Sequence, residues 1–213
     1  MKKSKIIIPI IFVIFIVIIL YFFVFKNLYY KEIIKKNILS KNLDNIIISY
    51  YNDNVLVNKS YIQNNMLLSI DYYNETPNNN QILLNKNTNT KFEYNTQDSS
   101  TIKQSTITDK AFSHINDSLI QNLNDSTLKF NYIKKITSNN IENNTKKNYH
   151  IFKFTNKEEN LQTYYFYNID TNLVEKMIIY SEDISKINVY EFKTETLDNI
   201  DSYIPEFITE YIK

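Results

Sequence analysis

The feature that most constrains this chain is an apolar run from Ile6 to Phe25, IIIPIIFVIFIVIILYFFVF, with no charged residue and with Lys5 and Lys26 at its ends. Lipid offers no partner to an unpaired backbone N–H or C=O, so such a run is expected to be helical. At 1.5 Å per residue its length covers about 30 Å, the hydrocarbon thickness of a bilayer. The sequence therefore predicts a transmembrane anchor over residues 6–25. The run is longer than the core of a cleaved signal peptide, and Tyr21-Phe22-Phe23-Val24-Phe25 offers no small-residue cleavage site. Pro9 falls in the first turn, where its missing N–H costs little. Residues 1–5 form a short basic tail with Lys2, Lys3 and Lys5, which favours a cytoplasmic N-terminus and an extracytoplasmic C-terminal domain at the cell membrane.

The rest of the chain is polar and β-patterned, and its composition narrows the chemistry. There is no Gly, hence no Gly-rich phosphate loop, no dinucleotide fingerprint and no nucleophile elbow. There is no Cys, hence no thiol nucleophile, disulfide or thiolate zinc site. A net charge of +1 and the lack of Arg argue against a nucleic-acid partner. No cofactor is expected.

Residues 26–43 continue as a juxtamembrane amphipathic helix, with Leu28, Tyr30, Ile34, Ile38, Leu39 and Leu43 at helical spacings. From Asn45 the period becomes two. The segments 45–51, 55–63 and 66–73 read as strands joined by tight Asn/Asp turns, where Asn and Asp must supply the positive φ that Gly would otherwise provide. Residues 74–80, with Pro77, read as a loop. The segments 81–85 and 91–95 read as a hairpin, 101–107 as a short strand, and 108–123 as a helix striped by Phe112, Ile115, Leu119 and Leu123. A second β meander follows: a strand around 128–136, a turn over 138–147, then strands 148–155, 161–169, 173–180 and 186–194. Pro205 opens a short terminal helix. The expected fold is α+β: an N-terminal transmembrane helix, then one long curved antiparallel sheet of about eight to ten strands, a half-barrel with helices packed on its concave face. Residues 44–213 form the extracytoplasmic domain.

The order of these elements, with the NQILLNKNTNTKFEYNT hairpin (Gln81–Tyr94 at its centre) and the TYYFYNIDTNLVEKMIIY unit (Tyr164–Met177), resembles the lipoprotein-carrier-like half-barrel family of LolA and RseB. It is also similar to membrane-anchored Gram-positive relatives of the GerS type. The resemblance spans about residues 27–208. It implies a cell-envelope binding module that holds a hydrophobic ligand, such as a lipid or acyl chain, or a partner protein in an apolar half-barrel. The alternative is a regulatory or structural partner of a cell-wall enzyme, of sporulation or germination type, with no small-molecule ligand. A pilin-like subunit is less in keeping with the run, which lacks a Gly-Phe processing site and an interior Glu.

The aromatics carry the site reading. Tyr numbers 18 and Phe 13, and many fall at strand positions. An apolar cavity is expected to be lined by Met66, Leu68, Ile70, Tyr72, Phe92 and Tyr94 from the first half of the sheet. Phe130, Tyr132, Tyr165, Tyr167, Met177 and Ile179 are expected to line it from the second half. No catalytic template is met, and the chain is not expected to be an enzyme. His114, with Asp109 and Asp117 on the same helix, reads first as part of a solvated face. His150, alternating with Phe152 and Phe154, reads as a partly buried imidazole.

Overall fold

The computed structural model describes residues 4–21, 25–40, 43–107, 115–140, 145–183 and 185–212. It is α+β, with four helices and one open antiparallel sheet of 11 strands among these residues. Helix α1 spans Ser4–Leu20 and α2 spans Lys26–Ser40. No helix among the described residues is long and apolar enough to cross a membrane. The 17 residues of α1 reach about 26 Å. Its apolar side chains from Ile10 to Leu20 are nevertheless exposed, from 40% at Ile16 to 63% at Phe12.

Strands β1 (Ile46–Asn52), β2 (Val55–Gln63), β3 (Met66–Tyr73), β4 (Thr76–Asn85), β5 (Thr90–Asn95) and β6 (Asp98–Thr106) form one meander. Helix α3 (Ile115–Asn124) follows. Strands β7 (Lys129–Asn140), β8 (Thr145–Asn156), β9 (Leu161–Asn168), β10 (Leu173–Ser181) and β11 (Lys186–Thr196) form the second meander, before α4 (Glu206–Ile212). The strand order is β6-β5-β4-β3-β2-β1-β11-β10-β9-β8-β7, so the first and last strands pair and join the two meanders. Strands β6 and β7 are thereby the two edges, and the connection between them must cross a face of the sheet. Helix α3 lies in that crossing.

The turns explain why a chain without glycine can make this meander. Asp53-Asn54, Asn64-Asn65 and Asn74-Glu75 all have positive φ, the conformation of a two-residue hairpin turn that matches the twist of its strands. Five of these six positions are Asn or Asp, which tolerate left-handed backbone best after Gly.

Several boundaries differ from the sequence reading. The sheet has 11 strands, one for each segment read as a strand and one above the expected eight to ten, and β4 extends back through Pro77 to Thr76 and absorbs the expected loop. Pro77 is accommodated beside a register shift between Ile70 and Tyr72 on β3. The expected turn over 138–147 is largely strand, since β7 continues to Asn140 and β8 starts at Thr145. The N-terminal half of the helix expected over 108–123, with His114 and Asp109, lies outside the described residues.

The larger correction concerns where the helices sit. Paired residues of neighbouring strands share a face, so the register assigns every side chain to one of two faces. On one face, α2 (Ile34, Ile38) and α3 (Leu119, Leu123) pack on Ile48, Phe130, Phe152, Tyr165, Tyr167 and Phe192. On the opposite face, a 3-10 turn (Ile200–Tyr203) and α4 pack on the first meander, with Ile200, Ile204 and Ile208 against Ile47, Tyr61, Leu68, Leu83 and Phe92. The sheet thus has a helical layer on each face, and the helices do not all lie on one.

Candidate functional site

The twelve expected cavity residues divide between these two faces. Leu68, Ile70, Phe92 and Tyr94 are buried under α4, with Met66 and Tyr72 partly buried against them. Phe130, Tyr132, Tyr165 and Tyr167 are buried under α2 and α3, with Met177 partly buried beside them. Ile179 shares that face through its pairing with Thr163. Each set is brought together. The two sets are separated by the sheet itself and do not line a common space.

Beneath α2 and α3 the described side chains pack on one another. Leu119, Phe152 and Tyr167 are fully buried, and Phe152 stacks on Tyr165 with ring centres 5.5 Å apart. Their polar ends are satisfied locally. Asn122 Nδ2 donates to Tyr165 Oη at 2.8 Å, and Tyr167 Oη donates to Asn172 Oδ1 at 3.0 Å. Burial pushes the Tyr165 phenol up to about 12.

One polar cluster ties α2 to the second meander. Tyr30 stacks on Tyr132 with ring centres 3.6 Å apart, and Tyr132 Oη lies 2.9 Å from His150 Nδ1. Burial holds the imidazole below its ordinary 6.5, and Lys135 acts in the same direction. The neutral ring and the Tyr132 phenol share this one hydrogen bond, whose direction the ring's tautomer sets. Lys26 Nζ sits 5.1 Å from the Tyr132 ring centre, and Asn27 Oδ1 accepts the Tyr132 backbone N–H at 2.8 Å. The first turn of α2 therefore caps part of the β7 edge. His150, expected to be partly buried, is buried, with 8% of its surface exposed. Among the described residues no group of three His, Cys, Asp or Glu could hold a metal ion.

Among the described residues, two of the surface grooves each lie on the half-face a helical layer leaves bare. A groove of about 620 Å³ lies on the outer strands of the first meander, lined by Asp71, Asn80, Ile82, Glu93 and Lys103, with Ile82 37% exposed. It adjoins β6, which among the described residues pairs with β5 on one side and with no strand on the other. A second, of about 460 Å³, lies on the bare half-face of the second meander, lined by Ile136, Lys147, Tyr149, Phe166, Lys176 and Lys193 among others. Glu175 is the hub of this groove. Its carboxylate accepts from Tyr149 Oη at 2.6 Å, Asn168 Nδ2 at 2.7 Å and Lys147 Nζ at 2.9 Å. Burial, and then the Glu175 carboxylate, push the Tyr149 phenol well above its usual range.

Sequence reasoning passed over both grooves because it sought apolar residues. The Glu175 hub had no signal to find. Glu175 is the extra residue of a bulge between Val174 and Lys176, which turns it toward Tyr149 and Asn168.

No family model matches the chain. No curated protein matches it either. Among solved structures it is similar to a DUF1329 family protein from Desulfovibrio piger, with 8% identity and a TM-score of 0.34, over 84% of this chain and 98% of that one. A likeness of that size carries no argument, and the reading of the site rests on the residues themselves.

Proposed function

We propose that this chain is a membrane-tethered binding module of the cell envelope that engages a partner protein and performs no catalysis. The observation that carries the reading is the packed interior. The aromatic side chains that would have received an acyl chain are instead spent on Leu119, Leu123 and one another. A pocket for a drug-sized or lipid ligand needs several hundred cubic ångströms of apolar space. The grooves described above are open and lined largely by polar side chains, which suits a protein surface better than a hydrocarbon. Beside the larger one, the unpaired side of β6 can accept an extended segment as a further strand, with Ile82 as the apolar contact. The exposed apolar side chains of α1 support a lipid environment for the run 6–25, with the N-terminus cytoplasmic and the sheet domain extracytoplasmic.

The test is photo-crosslinking of the full chain in nanodiscs with a photoactivatable fatty acid, read by mass spectrometry. Adducts are expected within residues 6–25 alone. Saturable labelling of Phe152, Tyr165 or Leu123 would overturn the reading in favour of a hydrophobic-ligand carrier.

A further inference from the structure

The two bare half-faces differ in charge. On the outer strands of the first meander, Lys91 and Lys103 are balanced by Glu93 and Asp71, and Lys91 pairs with Glu93 directly. On the second meander, register places Lys129, Lys134, Lys147, Lys153, Lys176 and Lys193 on the face opposite α2 and α3. Among the described residues Glu175, Glu191 and Glu195 oppose these six lysines on that face, and Glu182 reaches it by accepting from Gln162, which leaves two positive charges in excess. Two of the acids are already engaged, Glu175 by Lys147 at 2.9 Å and Glu191 by Lys176 at 3.0 Å. Between the lysines stand half-buried aromatic rings. Lys153 Nζ lies 5.5 Å from the Tyr164 ring centre and Lys193 Nζ 4.8 Å from that of Tyr51.

We infer that this lysine-and-aromatic half-face lies on the anionic lipid headgroups of the leaflet from which the chain emerges. The inference rests on the tether proposed above and specifies the surface that turns toward the bilayer. Charge complementarity names the partner, since lysines attract anionic headgroups while aromatic rings settle at headgroup level. Proximity adds to it. Lys26 and Asn27, the first residues after the run, sit at the β7 edge, where Asn27 accepts the Tyr132 backbone N–H; the bulge after Tyr132 turns Lys134 of the same edge to the basic face. A domain tethered at that edge meets the membrane at high effective concentration, so weak contacts from a few lysines are enough to fix its orientation. The bare half-face of the first meander, with its free edge, is then left to a partner.

The full chain is reconstituted into vesicles of phosphatidylcholine alone and of phosphatidylcholine with phosphatidylglycerol, then treated with an amine-labelling reagent that does not cross lipid. Labelling of Lys153, Lys176 and Lys193 is expected to fall several-fold in the phosphatidylglycerol vesicles relative to Lys91 and Lys103. High salt should restore it, because the attraction is screened. The double variant Lys153→Glu/Lys193→Glu, both on the solvent-facing side, should lose the difference at Lys176 while keeping the fold. Chain that floats with both vesicles but labels alike in both overturns this inference alone. Chain that floats with neither overturns the tether, and this inference with it.

Discussion

Ser49 sits at the centre of β1, fully buried, with a hydroxyl that has no hydrogen-bond partner. A buried hydroxyl left unpaired loses its hydration without recompense. Ser49→Ala is therefore expected to leave stability unchanged or raise it by up to about 1 kcal/mol, as read from chemical denaturation. Glu75 sits at φ 61 in a hairpin turn where Asn and Asp hold the equivalent places. Left-handed backbone costs a residue with a Cβ about 1 kcal/mol, so Glu75→Gly should raise the unfolding midpoint despite the added freedom of the unfolded chain. His150 makes stability depend on pH. Its native pKa lies below the ordinary 6.5, so the unfolded chain binds the proton first as the pH falls. Stability should decline as the pH drops below about 6.5 and level off once the native imidazole is protonated as well. His150→Phe should remove that part of the slope in a series of urea unfolding curves.

At the scale of elements, the decisive pieces are the helices that cover each face. Helix α3 crosses from one sheet edge toward the other and buries Leu119 and Leu123 completely. Truncating either to Ala removes buried methyl groups and leaves a cavity against Phe152 or Tyr165, at a cost of about 2–5 kcal/mol. Helix α4 is too short to persist alone at 7 residues. It is held by Ile208 in the cluster of Leu68 and Phe92. Ile208→Ala should loosen α4 and the first meander, seen as faster hydrogen exchange in β2, β3 and β5, while β8 and β9 stay protected. A single shared core beneath one helical layer would show no such division.

Among the described residues the open sheet leaves two half-faces bare, one near-neutral beside the edge strand β6 and one basic beside the start of α2 at β7. If the near-neutral half-face is where a partner docks, Ile82→Lys should abolish its capture without shifting the melting temperature. Ile82 is 37% exposed, so the new charge stays solvated and the fold is not taxed. The apolar run makes its own prediction at this scale. The chain should resist extraction from membranes by carbonate or salt and be released only by detergent.

Much of this was legible along the chain. The apolar run, the change of period at Asn45, the two meanders and the Asn/Asp turns are all local, set by side-chain alternation and by which residues tolerate positive φ. The faces were not. Strand parity is readable within a strand, but its relation between the two meanders is decided by β1 pairing with β11, about 150 residues apart in sequence, where a shift of one residue would exchange inside for outside. Bulges reverse parity again within strands. Alternation counted from Leu173 would put Met177 and Ile179 on the face of Leu173, and the extra residue at Glu175 sends them to the other. The same device at Ile133 turns Lys134 and Ile136 away from Phe130 and Tyr132. Sequence by itself determined which residues form strands and helices, because those choices are made within a few residues. Only the tertiary structure decided which side chains meet, because that depends on register between segments distant in the chain.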